Sequence, residues 1–394
     1  MDEFSEIMKL NSVSIHETEK KSFWRMRFET DFQLKSLLCM TERHVFGLAK
    51  GFFMGQPNNR KYLSCCTSFR KCILDLAKEM KLECQDSNLL NIFIESVVLF
   101  TAEEAEIAAQ ILFQTNENRF ISQYEELRKK YFTTWMKSDK LDQLFNDIEP
   151  VGLIIDPSLN QFPFESLPSL RKRNQPFFRI PSVKIASLLY EKYKQLVDDG
   201  IDDEKTFYVL NPGSNLASTE AFFKQTFLSI NEWTGFVGTV PDGQDLEKNF
   251  ETKDIYVYMG HGSGSQYYRA IPKGFDVVNM NSLSIVVGCS SGRVTKETKT
   301  SDVFGSAYRF LINGAPVYIG TLWDVTDKDI DLYMDGFMTL WLPRWNRDQE
   351  ISIKKNNSLC KSISLARDAC KLRFLNGCAS VVYGLPLKNQ HTPQ

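Results

Sequence analysis

Two short stretches set a reactive side chain among small residues: Tyr258-Met259-Gly260-His261-Gly262-Ser263-Gly264 and Val286-Val287-Gly288-Cys289-Ser290-Ser291-Gly292. An imidazole and a thiol are a base and a nucleophile. The imidazole takes the thiol's proton or lowers its pKa, and the thiolate attacks. The small neighbours let a peptide come within reach of both groups. They also leave the N–H groups of Gly262 and Cys289 uncovered, as donors for a developing oxyanion. Each stretch has a plainer reading. A histidine between glycines is commonly a turn residue, and a cysteine ending an apolar strand is commonly a small buried hydrophobe. Finding both, 28 residues apart, raises the weight of a catalytic pair.

The elements that must hold this pair are strands. Ile255 to Met259 is apolar, aromatic and β-branched, Ser284 to Val287 is a short, mainly apolar run, and each stops at a glycine. Similar runs are Gly152 to Ile155, Thr206 to Leu210, Val317 to Thr321 and a last one within Ala379 to Leu387. Helical spacing at 183–197, 218–230, 302–313 and 327–345 separates them. Such alternation predicts a mainly parallel α/β sheet with helices on both faces, whose sites form at the carboxyl ends of the strands. Neighbouring strands would then bring His261 and Cys289 to one edge.

Ahead of Glu149-Pro150 the pattern is different. Residues 30–50, 69–84, 88–114 and 118–138 carry apolar side chains three and four apart, with Glu and Lys between them. They read as amphipathic helices. The expected organisation is a helical region over 1–146 and an α/β domain over 147–394. Residues 347–362 are polar enough for a surface loop.

Composition narrows the function. Of 394 residues, 43% are apolar and 24% charged, which is ordinary for a chain with a sizeable core. Lys+Arg is 47 against Asp+Glu 49, so no global basic field points to nucleic acid. Nine cysteines, scattered and odd in number, fit a reducing compartment better than a disulfide framework. The acidic start is no signal peptide, and no apolar run nears the ~20 residues that cross a bilayer. A soluble protein of the cytoplasm and nucleus is expected, away from membranes. The other histidines, His16, His44 and His391, make no ligand-spaced cluster, and "HGSGS" lacks the lysine and spacing of a phosphate loop. Neither metal nor cofactor is expected.

Taken together, "YMGHGSG" and "VVGCSSG" resemble the His and Cys boxes of separases, caspase-fold cysteine proteases. "GTLWDVTDKDID" (320–331) is similar to a further stretch of that family, "FPFESLPSLR" with "RIPS" (162–182) to its opening segment, and "VVYGLPL" (381–387) to its closing strand. The resemblance spans about residues 150–390. It implies a caspase-like fold and cleavage of the cohesin kleisin subunit after arginine, in an E-x-x-R context, to part sister chromatids. It also implies restraint by a securin-like inhibitor. His261 becomes the base and Cys289 the nucleophile.

An arginine ahead of the cut requires a buried carboxylate. Asp324, Asp327, Asp329 and Asp331 are available. The resemblance favours Asp331, with Asp327 or Asp324 second. The plain alternative has Thr326 or Asp327 capping a helix and the other carboxylates facing solvent. Separases carry a very long helical amino-terminal region, whereas about 146 residues precede the protease-like part here, so either a compact version or a shortened piece of a longer chain is expected, the first favoured. Two other functions compete: an inactive caspase-like scaffold binding partners through its helices, and a caspase-related peptidase outside chromosome biology. One internal E-x-x-R match, Glu125 to Arg128, offers a site for self-cleavage, or merely an ion pair on a helix.

Overall fold

Continuous apolar runs form the middle of the sheet. A computed structural model describes residues 1–146, 148–296, 303–345 and 358–390. In chain order the strands are β1 (Val151–Leu153), β2 (Phe177–Arg179), β3 (Thr206–Leu210), β4 (Thr234–Val237), β5 (Ile255–Met259), β6 (Leu283–Val287), β7 (Thr295–Lys296), β8 (Val303–Phe304), β9 (Val317–Thr321) and β10 (Ser380–Gly384). Eight make one sheet in the order β1-β2-β10-β9-β6-β5-β3-β4, and β7 with β8 forms a small antiparallel pair. Every residue of β3, β5, β6, β9 and β10 is buried, so these strands show no alternation of polar and apolar positions. Strands β4, β3, β5, β6 and β9 are parallel, while β10 runs antiparallel to β9. The expected fold class holds: α/β, mainly parallel, with helices around the sheet.

Several elements escape the sequence pattern. β2 is three residues and ends on a buried arginine, and β4 is a half-exposed edge. Gly243–Thr252 is a helix capped by Asp242. The loop expected over 347–362 is corrected where it can be seen. Residues 347–357 lie outside the described residues, but Leu359–Ala366 is a helix whose Leu359, Cys360, Lys361 and Ser362 are buried. Its cap is Ser358, which accepts from the Lys361 N–H.

The chain divides into two compact units, and not at residue 146. One holds Met1–Leu37, Gly152–Ser166 and Phe177–Gln394; the other holds Leu38–Val151 and Leu167–Pro176. The first helices therefore belong with the sheet. Phe4 packs against Phe162 and Trp323, and Asp31 accepts from the N–H groups of Phe374 and Leu375. Amphipathic spacing identifies a helix but carries no information on which core its apolar face joins.

The helical unit is built on aromatic contacts among Tyr62, Phe69, Phe113, Phe120, Tyr124 and Phe132. Its expected continuous helix over 88–114 is broken. Ser87–Glu95 and Ala102–Phe113 are separate because Thr101 and Glu104 make a capping box that starts the second one.

Arg128 lies in the Asn118–Phe132 helix, is buried, and is gripped by both oxygens of Glu125 at 2.6 and 2.8 Å. The E-x-x-R match is thus an ion pair inside a helix, where no protease reaches an extended backbone. Incubating the active chain beside Cys289→Ala should give no fragment ending at Arg128; such a fragment in the active sample alone would contradict this.

Candidate active site

β5 and β6 pair in parallel up to Met259 and Val287. His261 and Cys289 each follow two residues later, so they emerge side by side at one sheet edge. The loops touch through their backbones. A Cβ on Gly288 would overlap the carbonyl oxygens of Gly262 and Gly260, so glycine is what allows the thiol loop to approach the imidazole loop. Gly262 takes φ +61° with open space around it.

Tyrosines fix the imidazole loop. Tyr258 Oη donates to the His261 carbonyl at 2.9 Å, and Tyr268 Oη donates to the Ser263 carbonyl at 2.9 Å. The thiol loop is tied to β9. Thr321 Oγ1 donates to the Gly288 carbonyl at 2.6 Å, and Ser291 Oγ accepts from the Thr321 N–H at 3.0 Å. Among the described residues, the amides of Gly262 and Cys289 donate to no other group. His261 is exposed and Cys289 half-buried. The thiol donates weakly to the Val325 carbonyl at 3.4 Å. Burial pushes its pKa up; the Val325 contact lowers it, and Asp324 and Asp327 add to the rise.

One pocket gathers His261, Cys289, Thr219, Ile330, Asp327 and Asp331. The carboxylates of the 324–331 segment have separate fates. Asp324 does not line the pocket; it accepts from Ser290 Oγ at 2.6 Å. Asp329 is buried and accepts from the N–H groups of Lys371 and Leu372. Asp327 is exposed, at the pocket rim. Asp331 is 5% exposed and accepts from Thr219 Oγ1 at 2.9 Å. Among the described residues no cation pairs with it, and burial pushes its carboxyl up to about 7; the Thr219 bond lowers it and Asp327 raises it. The plain alternative of solvent-facing carboxylates therefore fails for Asp329 and Asp331. Thr326 stands at the helix N-cap without a side-chain capping bond.

The raised carboxyl has a measurable sign. Between the ordinary value of 3.8 and about 7, the folded chain keeps a proton that the unfolded chain has lost. This contribution to stability is complete below the lower value and lost as pH rises through the upper one. Asp331→Asn keeps the acceptor for Thr219 and cannot ionise. It should be more stable than wild type by about 1–3 kcal/mol at pH 8, with the gap closing toward pH 4. Thermal melts across that range check this; a gap that does not change with pH removes the titration argument.

Thr219 and the Val325 carbonyl carry no signal in the sequence. Thr219 sits in an ordinary amphipathic helix, Ala217–Ser229, and the other is a backbone atom. Ser290 and Ser291 are visible there only as small neighbours of the cysteine.

Residues 1–330 match the family model for the separin protease domain. The chain belongs to the separin protease family. Separin of Mus musculus is 28% identical over 401 residues, taking in 99% of this chain and 17% of the mouse protein. Separin of Saccharomyces cerevisiae is 29% identical over 408 residues, 96% of this chain and 24% of the yeast protein. The chain thus spans about a fifth of the length of these separins. The crystal structure of the Saccharomyces cerevisiae separase–securin complex superposes with a TM-score of 0.79 and 24% identity, over 98% of this chain and 27% of that one. That likeness shows the fold.

Proposed function

We propose that the chain is an arginine-directed cysteine endopeptidase whose substrate is the kleisin subunit of cohesin. The observation that carries this reading is Asp331, a buried carboxylate without a cation among the described residues, in the same pocket as an imidazole and a thiol. A guanidinium is the partner such a carboxylate lacks. His261 takes the proton from Cys289 Sγ as substrate docks, and the thiolate adds to the carbonyl carbon of the arginine residue. The Gly262 and Cys289 amides face the resulting oxyanion. The C–N bond breaks, the amine leaves with the proton from His261, and a water deprotonated by His261 releases the acyl group and restores the thiol.

Membership of the separin family supports the place of this activity in chromosome segregation. A securin-like inhibitor is the proposed partner, by analogy with the relative crystallised in complex with securin. The cytoplasm and nucleus are the proposed sites of action. The test is a peptide carrying an arginine next to a thiol-reactive group. Labelling at Cys289, and cleavage of kleisin by a separate unlabelled sample, are the expected results. Labelling without kleisin cleavage would move the enzyme outside chromosome biology, and no labelling would favour the inactive scaffold.

A further inference from the structure

The segment that walls the pocket is held from behind by a buried cation. Arg27, in the Lys20–Thr41 helix, is fully buried. Its Nη1 donates to Asn11 Oδ1, and its Nη2 donates to Asn376 Oδ1 at 2.9 Å. Each asparagine passes a hydrogen bond onward. Asn11 Nδ2 donates to the Asp324 carbonyl at 3.0 Å. Asn376 Nδ2 donates to Thr326 Oγ1 and to Asp329 Oδ2, both at 2.8 Å. The direction of both relays is fixed by chemistry. A guanidinium only donates, whereas a carbonyl or a carboxylate only accepts, so each amide fits one way round. The acceptors of the Cys289 thiol and the Ser290 hydroxyl lie in the same stretch, at Val325 and Asp324.

We propose that Arg27 is a positioning residue of the arginine pocket: through Asn11 and Asn376 it sets the path of residues 324–329, and so the aim of Asp331. The proposal rests on the reading of that pocket given above. Filling buried space beside acidic groups would need only a cation. Reaching two separate amide oxygens needs a planar fork, which lysine lacks. Burial lowers the guanidinium to about 10, while Asp329 and Asp31 raise it, so it is charged at neutral pH. The amino-terminal helices then form part of the specificity site, although they contribute no atom to the pocket.

The test uses the full chain and reagents that alkylate Cys289: arginyl and norleucyl peptide chloromethyl ketones, and iodoacetamide, which needs no side-chain pocket. The ratio of arginyl to iodoacetamide rates reports the pocket rather than the thiol. General destabilisation leaves that ratio unchanged. Arg27→Lys keeps the charge and loses the fork. Asn11→Asp keeps an acceptor for Arg27, now as an ion pair, and loses the donor to the Asp324 carbonyl; it serves even if Arg27→Lys does not fold. Both variants should lower the ratio at least about tenfold, the scale set by small misplacement of a binding group. A wild-type ratio in folded Asn11→Asp overturns the inference alone. A wild type that does not prefer the arginyl over the norleucyl reagent overturns the pocket, and the inference with it.

Discussion

Cys289→Ala should abolish peptide cleavage, with a loss of about 10⁴–10⁶-fold in kcat, and His261→Ala should lose a comparable amount because the two groups act as one unit. The fold should survive both changes. Cys289 is half-buried and its thiol makes one weak contact, with the Val325 carbonyl at 3.4 Å. His261 is exposed, and what fixes its loop is the bond from Tyr258 to its backbone carbonyl, which alanine retains. Stability should change by no more than about 1–2 kcal/mol in either variant. Thermal melts and single-turnover assays on the same samples separate the two effects. Substantial cleavage by purified Cys289→Ala would sink the assignment of the nucleophile.

The second large effect concerns the residue ahead of the cut. Replacing that arginine by lysine in a peptide should lower kcat/KM about 100-fold. Lysine presents a point charge where a carboxylate is best met by a planar fork, and a poorly paired buried carboxylate costs a few kcal/mol. Asp331→Ala should impair arginine peptides about 100- to 1000-fold by deleting the buried partner. Asp327→Ala should cost less than about tenfold, because an ion pair at a solvent-accessible rim contributes about 1 kcal/mol or less. Measuring both variants on arginine and lysine peptides decides between the two carboxylates. A larger loss from Asp327→Ala would reassign the partner while leaving the pocket in place.

The parts legible in sequence are those where one residue type does one job. β3, β5 and β9 stand at the positions their apolar runs indicate, because strands buried on both faces have no polar positions to blur them. The imidazole and thiol are visible for a related reason: a reactive side chain flanked by glycine stands out at the end of a mostly apolar run. β2 and β4 are not legible, since three residues, or four at an exposed edge, give too short a pattern. The roles of Asn11 and Arg27 are hidden more deeply. On an amphipathic helix a polar residue is expected to face water, and nothing local marks the pair that is buried against Asn376 instead. Asp331 stands out through the family resemblance, whereas its contact with Thr219 depends on two helices meeting.

The place of β10 inside the sheet has a consequence for synthesis. β1 and β2 join the other strands through β10, which follows them by about 200 residues. At ribosomal rates of about 5–20 residues per second, the early strands wait tens of seconds for their partner, with unpaired backbone open to chaperones or to aggregation. The same delay bears on the pocket. Leu375, whose carbonyl accepts from the Trp323 indole, and Asn376, which grips Thr326 and Asp329, are translated long after Cys289. A nascent chain that has already exposed Cys289 still lacks the residues that hold the 324–329 segment. Translation order thereby delays the assembly of the proposed arginine pocket until the sheet nears completion.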